Sequence, residues 1–289
     1  MKSAFAKIVT ETKPVSVKPL KKGISGALLA TYRGGLRAVL KLAKEKLPNG
    51  NKRQRGLPVI TQPQREVAFY ELAVYLGKDY EALVPETVLT HYNGTVASAQ
   101  LYLPGAMNLH DINPKLVDLR GSNRWRDELK ATALKVPKPF WRKLLALDIL
   151  AGARDRHAHN VGVTMHLKDN KPTFRLHAWD NACTFGLTFK RYHNVFHKYI
   201  FRDYVNFDDV WPVWDTITLD GLTGAIGPYL EPAEVTDTFL RCQFFQDYPY
   251  RLPWRVVSEG KDRSRDFPDY AAYFKPVLEQ PQHLVALSA

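Results

Sequence analysis

Apolar residues fall in short runs along the first third of the chain and shift to helical spacing further on. Residues 27–32 (Ala-Leu-Leu-Ala-Thr-Tyr) and 36–42 (Leu-Arg-Ala-Val-Leu-Lys-Leu) are two such runs, split by Arg33-Gly34-Gly35. Glycine accepts positive φ without strain, so the pattern predicts a β-hairpin. Residues 43–64 hold Pro48, Asn49-Gly50, Pro58 and Pro63 among many basic side chains, and predict a long loop or mobile insertion. Phe69, Leu72, Ala73 and Leu76 then repeat at helical intervals, so residues 66–76 predict an amphipathic helix. Residues 85–90 and 95–103 predict two more strands, turning at Asn93-Gly94.

Pro104-Gly105 breaks this pattern. A boundary there divides a strand-rich lobe, 1–103, from a helix-rich one, 104–289. Downstream, residues 140–152 predict a strongly apolar helix interrupted by Arg142, Lys143 and Asp148. Residues 161–166 and 173–178 predict a strand pair around Asp169-Asn170. The stretch 186–289 is aromatic and proline-punctuated, with clear helical spacing only near 232–247.

Composition narrows the class. The chain has 289 residues, 45% of them hydrophobic, which excludes a wholly disordered protein. Net charge is +12, and eight basic residues against one acidic one fall within 37–65. Such an excess points to an anionic partner. Cys183 and Cys242 form no disulfide framework and no C-x-x-C pair. No apolar run is long enough to span a bilayer, and the start lacks the apolar core of a secretory signal. A cytoplasmic setting is therefore expected.

Five features carry candidate chemistry. Gly23-Ile24-Ser25-Gly26 precedes an apolar strand, and two glycines three apart let backbone N–H groups approach a phosphate. An ordinary tight turn would read the same way. Lys41 ends a strand on the face that also carries Val39, from where a lysine reaches a nucleotide's phosphates; a solvent-facing lysine is the commoner case. Glu66 lines up with Phe69 and Ala73 on the inner face of its helix. A buried carboxylate needs a cation, and Lys41 is the natural partner. Asp155-Arg156-His157-Ala158-His159-Asn160 follows the apolar helix, and Trp179-Asp180-Asn181 follows the strand pair. Asp155 suits the proton of an attacking hydroxyl, while Asn160 and Asp180 offer oxygen to Mg²⁺. A rival reading makes Asp155, His157, His159 and His177 a transition-metal site, though it leaves the glycine loop and Lys41 unexplained. Asp148 reads as a structural carboxylate.

The order of these parts resembles the phosphoinositide 3-/4-kinase-like superfamily. In motif it is nearest to type II phosphatidylinositol 4-kinases and their bacterial relatives. Gly23 to Gly26 followed by Lys41 is similar to that family's Gly-x-x-Gly loop and nucleotide lysine. Arg65-Glu66-Val67-Ala68-Phe69-Tyr70 resembles its Glu-x-Ala-Ala-Tyr helix. Residues 99–105, with Gln100 and Tyr102, resemble the strand and hinge that cradle adenine. Arg154-Asp155-Arg156-His157 resembles the catalytic loop, Asn160 falls at a metal ligand, and Asp180-Asn181 stands where relatives have the metal-binding Asp.

The resemblance covers residues 21–190. It implies an α+β, two-lobed protein kinase-like fold, with a small antiparallel-sheet lobe holding one helix and a larger, mainly helical lobe. It also implies ATP and Mg²⁺ as cofactors. Gly23, Ser25, Gly26, Val39, Lys41, Glu66, Gln100 and Tyr102 would bind the nucleotide, and Asn160 and Asp180 the metal. Asp155 would act on the acceptor hydroxyl, and Arg156 or His157 would steady the γ-phosphate or the catalytic loop.

A protein Ser/Thr residue is the expected acceptor, on a substrate that the basic surface makes acidic. A phosphoinositide headgroup or membrane surface comes second, favoured by the basic and aromatic run from Lys190 to Arg202. Nucleic-acid binding is not expected, because no motif of that class is present. AMP transfer or a non-catalytic kinase-like protein are the further alternatives.

Overall fold

A computed structural model describes residues 3–20, 26–47, 49–54, 57–112, 131, 136–168, 171–186 and 210–247. The first element is α1 (Ala4–Glu11), capped by the Ser3 hydroxyl, which accepts from the Ala6 N–H at 2.9 Å. Strands β1 (Ser16–Pro19), β2 (Leu28–Thr31) and β3 (Arg37–Leu42) follow. The predicted hairpin is therefore present, and Gly34 and Gly35 take φ of 78° and 79° in its turn.

The stretch read as a loop or insertion is more structured than its prolines imply. It contains a two-residue ribbon, β4 (Arg53–Gln54) with β5 (Leu57–Pro58), and a 3₁₀ turn, Val59–Thr61. Leu47, Leu57 and Val59 are buried there, so apolar anchors tie the segment down. Helix α2 (Gln62–Tyr75) also starts earlier than the apolar stripe indicates, because Pro63 sits in its first turn, where a missing N–H costs nothing. After α3 (Lys78–Glu81) come β6 (Thr87–Tyr92) and β7 (Thr95–Leu101). The predicted turn between them has Asn93 and Gly94 at φ of 50° and 76°.

The antiparallel sheet runs β1-β2-β3-β7-β6. Its two faces have different partners. Leu40, Ala38, Ala30 and Ala99 meet Phe5 and Val9 of α1. Because side chains alternate across a strand, Lys41 and Val39 face the other way, where α2 crosses β3, β6 and β7. Among the described residues the N-terminal region thus holds three helices rather than the single one expected. The sequence pattern predicts no element over residues 4–11, where α1 lies.

Beyond the sheet lie β8 (Met107–Asn108), α4 (Leu109–Ile112), α5 (Lys138–Leu150), β9 (Val161–Lys168) and β10 (Lys171–Ala178). Strands β10-β9-β8 form a second sheet. Then come α6 (Trp211–Trp214), α7 (Leu219–Ile226) and α8 (Pro232–Asp247). The first two of these correct the expectation of helix only near 232–247. Gly221 within α7 lies against Tyr75 of α2, where a larger residue would collide with the ring.

One hydrophobic core joins the parts. Phe69 and Leu72 of α2 pack with Trp141, Leu144 and Leu147 of α5 and with Leu222, Ile226 and Val235 of α7 and α8. Helix α2 is therefore shared: one side lies on the sheet and the other is built into the helical region. Whatever α2 carries is fixed relative to both.

Candidate active site

Lys41 sits on β3 opposite Ser98 of β7, with Val39 opposite Gln100. The Lys41 ammonium meets two carboxylates. It donates to Glu66 of α2, and to Asp180 Oδ1 at 2.7 Å. The second Glu66 oxygen accepts from the Asn181 backbone N–H at 3.0 Å. Glu66 thereby holds Lys41 and the backbone beside Asp180 in one grip.

Charge balance keeps Lys41 and Asp180 ionised. Burial alone would push Lys41 below the ordinary lysine value, but the Asp180 and Glu66 carboxylates outweigh it and hold the group well above that value. Burial likewise pushes Asp180 up. Its charge contact and hydrogen bond with Lys41, helped by His157 and Arg156, reverse the sign and hold it below the usual carboxylate range.

Asp180 is held in the left-handed region, φ 55°, after the end of β10. Asp visits that region more readily than most residues because its short side chain can bond locally. Its side chain keeps 38% exposure against 2% for Glu66, so the two carboxylates differ in access. The neighbouring Trp179 donates its ring N–H to the His159 carbonyl at 2.7 Å. Its ring lies flat on Gly162, where any Cβ would fall inside the indole.

The loop 155–160 meets this segment from below. Arg156, only 2% exposed, spends all five of its N–H groups inward. It clamps Asp148 of α5 through Nε and one terminal nitrogen, at 2.8 to 3.1 Å. It also donates to the carbonyls of Asn160 at 2.9 Å and Trp179 at 3.0 Å, and to the Asn181 side chain at 2.7 Å. Of the two roles the resemblance implies for Arg156, steadying the γ-phosphate or steadying the loop, these contacts match the second. Its guanidinium is committed to the interior, and it braces the loop. Asp148, completely buried, is the structural carboxylate expected.

Asn160 donates its amide nitrogen to the Asp155 carbonyl at 2.8 Å, so the amide oxygen is what it offers a cation. His157 Nε2 stands 3.9 Å from the Asp155 carboxylate, and its ring meets His159 edge-on at 5.8 Å. His177 lies elsewhere, on β10, bonded to the Thr164 hydroxyl at 2.9 Å. Among the described residues no group of three or more His, Cys, Asp or Glu is arranged to hold a metal ion. The donor set of Asp180 and Asn160, a carboxylate and an amide oxygen, fits a hard cation such as Mg²⁺.

On the hinge side, Gln100 donates to Thr87 Oγ1 at 3.0 Å, and Tyr102 donates its N–H to the Arg37 carbonyl at 3.0 Å. The Arg37 guanidinium lies over the Tyr102 ring, 4.3 Å from its centre. Of the glycine loop, Gly26 lies at φ 62° just before β2. Gly23 and Ser25 lie outside the described residues, as does the run 190–202. The structure thus brings together Lys41, Glu66 and Asp180, with Asp155, Arg156 and Asn160 beneath them.

Sequence reasoning missed Arg65. It donates to the Thr184 carbonyl, to Thr61 Oγ1 at 3.0 Å and to Glu234 of α8. Two of these partners lie 119 and 169 residues away in the chain, beyond the reach of any local pattern.

No model of a known protein family matches the chain, and no curated protein matches it. Among solved structures it is similar to the Helicobacter pylori proinflammatory kinase CtkA, with a TM-score of 0.50 and 12% identity, over 81% of this chain and 92% of that one. The Golgi casein kinase follows at a TM-score of 0.39 and 11% identity, over 84% and 69% of the two chains. The amicoumacin kinase hAmiN gives 0.29 and 13%, over 94% and 91%. The first of these likenesses defines a fold: the chain is α+β, with an antiparallel-sheet N-terminal region and a helical C-terminal part, in the protein kinase-like arrangement. Among the described residues no helix is long and apolar enough to cross a membrane.

Proposed function

We propose that the protein is an ATP- and Mg²⁺-dependent phosphotransferase acting on the hydroxyl of a protein Ser or Thr residue. The observation that carries this reading is the contact of Lys41 with both Glu66 and Asp180, where only Asp180 stays open. A lysine held between a sealed and an open carboxylate suits a polyphosphate, because the site supplies positive charge on one side and a cation ligand on the other. The Helicobacter pylori neighbour is a kinase by name, and the reading takes that activity for this chain.

In this reading Lys41 binds the nucleotide's phosphates, and Glu66 keeps its ammonium in place. Gly23, Ser25 and Gly26 cover the phosphates with backbone N–H groups. Val39, Gln100 and Tyr102 line the nucleotide side of the sheet and hinge. Asp180 and Asn160 would hold Mg²⁺, which supplies neutralising charge to the phosphates when bound. Asp155 takes the proton of the acceptor hydroxyl as its oxygen bonds to the γ-phosphorus. The bond from that phosphorus to the bridging oxygen breaks, and ADP leaves. Arg156 holds the loop that carries Asp155 and Asn160, and His157 flanks the Asp155 carboxylate.

The basic segment 37–65 favours an acidic substrate. A phosphoinositide headgroup is the second acceptor, supported by the basic and aromatic residues from Lys190 to Arg202. The test is incubation with Mg²⁺ and either γ-labelled or α-labelled ATP, beside mixed proteins and phosphoinositide vesicles. Label from the γ position on protein hydroxyls is expected. Label on lipid selects the second acceptor. Label from the α position, or none at all, overturns phosphoryl transfer.

A further inference from the structure

Glu66 is one of two adjacent α2 residues that hold the turn after Asp180. Its carboxylate takes the Asn181 N–H, at the start of the turn. Arg65, the residue before it, donates to the Thr184 carbonyl, at the far end. The turn is closed on itself by the Thr184 hydroxyl, which donates to the Asn181 carbonyl at 2.7 Å. It is tied to the base of the catalytic loop as well, since the Arg154 N–H donates to the Cys183 carbonyl at 2.9 Å. The Phe185 N–H donates to the Ala151 carbonyl at 2.6 Å, with Phe185 itself at φ 57°. A bulky residue in that region is strained by roughly 1–2 kcal/mol, so the surrounding contacts must over-determine it.

Arg65 is itself anchored. Its other terminal nitrogen pairs with Glu234, and both side chains are nearly closed to water. Glu234 is fixed by the helix it starts: its second oxygen accepts from the Glu231 N–H at 3.2 Å, a capping-box contact at the N-terminus of α8. The line α8, Glu234, Arg65, Thr184 continues through Asn181 to Glu66 and Lys41.

We infer that Arg65 is a positioning residue. Anchored on Glu234, it holds the turn 181–184 so that Asp180 stays against Lys41, and it couples the site to the N-terminus of α8. This rests on the phosphotransferase reading for its consequence, though not for its geometry. A buried arginine bridging separate acceptors is not replaced by a hydrophobe of equal length, because both the Thr184 carbonyl and the Glu234 carboxylate then lose a donor.

The experiment is amide hydrogen exchange across residues 181–185 in the whole chain, paired with ATP-dependent labelling kinetics. The variants are Arg65→Met, Arg65→Lys and Glu234→Gln; the last keeps an acceptor for the Glu231 N–H and removes the charge. Arg65→Met should speed exchange at Asn181 and Phe185 by about tenfold or more while α5 amides stay protected. It should lower kcat by a similar factor, roughly tenfold, with KM for ATP changed less than about threefold. Arg65→Lys should recover part of both effects, and Glu234→Gln should show a weaker form of them.

Unchanged exchange in Glu234→Gln and Arg65→Lys overturns the inference even if Arg65→Met fails to fold. Faster exchange with unaltered kcat overturns the role in positioning for catalysis. If the wild-type protein transfers no phosphate, the functional reading fails, and the exchange data alone still decide whether Arg65 holds the turn.

Discussion

Two charge clusters share the segment 179–181, one on each side. Lys41 and Glu66 take the Asp180 carboxylate and the Asn181 N–H. Arg156 takes the Trp179 carbonyl and the Asn181 side chain, and closes on Asp148. Each pairs a base with two acidic or amide partners, yet they serve opposite ends. The Arg156 knot satisfies every donor and exposes nothing, so its chemistry is complete without a ligand. The Lys41 cluster leaves Asp180 open, so it can exchange a protein contact for a phosphate or a cation. A buried, fully paired charge is a mark of scaffolding, and a partly open one beside it is a mark of a site.

The sharpest way to break this contrast is to cut the knot. Arg156→Met strands the Asp148 carboxylate in the interior, and should cost about 3–5 kcal/mol of stability. Urea titration of the variant checks this. A loss within 1 kcal/mol of wild type, on the scale of about 0–1 for exposed pairs, would make the knot no more structural than a surface ion pair. Lys41→Met should do the reverse. It should lower ATP-dependent labelling by about a hundredfold, the scale for losing one preorganised charge contact, while the folded spectrum by circular dichroism stays that of wild type. Collapse of the fold with the activity would move Lys41 into the scaffold class.

His177 gives a smaller and graded effect. Burial, then the charges of Arg175 and His166, push it down to about 4 from 6.5. The folded protein therefore keeps it neutral where the unfolded chain takes up a proton. Stability that is whole above pH 6.5 should fall as pH drops towards about 4, by up to about 1.4 kcal/mol per unit. Thermal melts of His177→Gln over that window should show a shallower slope than wild type. Equal slopes would mean that the histidine is not sealed.

Local pattern carried much of the sheet. Gly34-Gly35 and Asn93-Gly94 mark turns by backbone chemistry alone, and the strands beside them follow. The inward side of α2 was legible as well, since Glu66 shares its spacing with Phe69 and Ala73. What local pattern could not show is which charges a fold would seal. Arg156 next to Asp155 reads as chemistry, and only the approach of Asp148 turns its guanidinium inward. Arg65 is identical in kind, and its partners arrive from α8 and the turn after Asp180. Helix α1 was not predicted, because eight residues with a short apolar face, Phe5, Ala6 and Val9, give a weak signal. Helix α7 was obscured by its two glycines, of which Gly221 packs against Tyr75.

In the proposed function, the open Lys41–Asp180 cluster binds a nucleotide through Asp180 and a cation. Calorimetric titration of the wild-type protein and Asp180→Asn with ATP, with and without Mg²⁺, tests it most directly. Mg²⁺ should tighten ATP binding to the wild type by about tenfold or more and leave Asp180→Asn unaffected. Binding that ignores Mg²⁺ in the wild type, or an equal metal effect in both proteins, would contradict it.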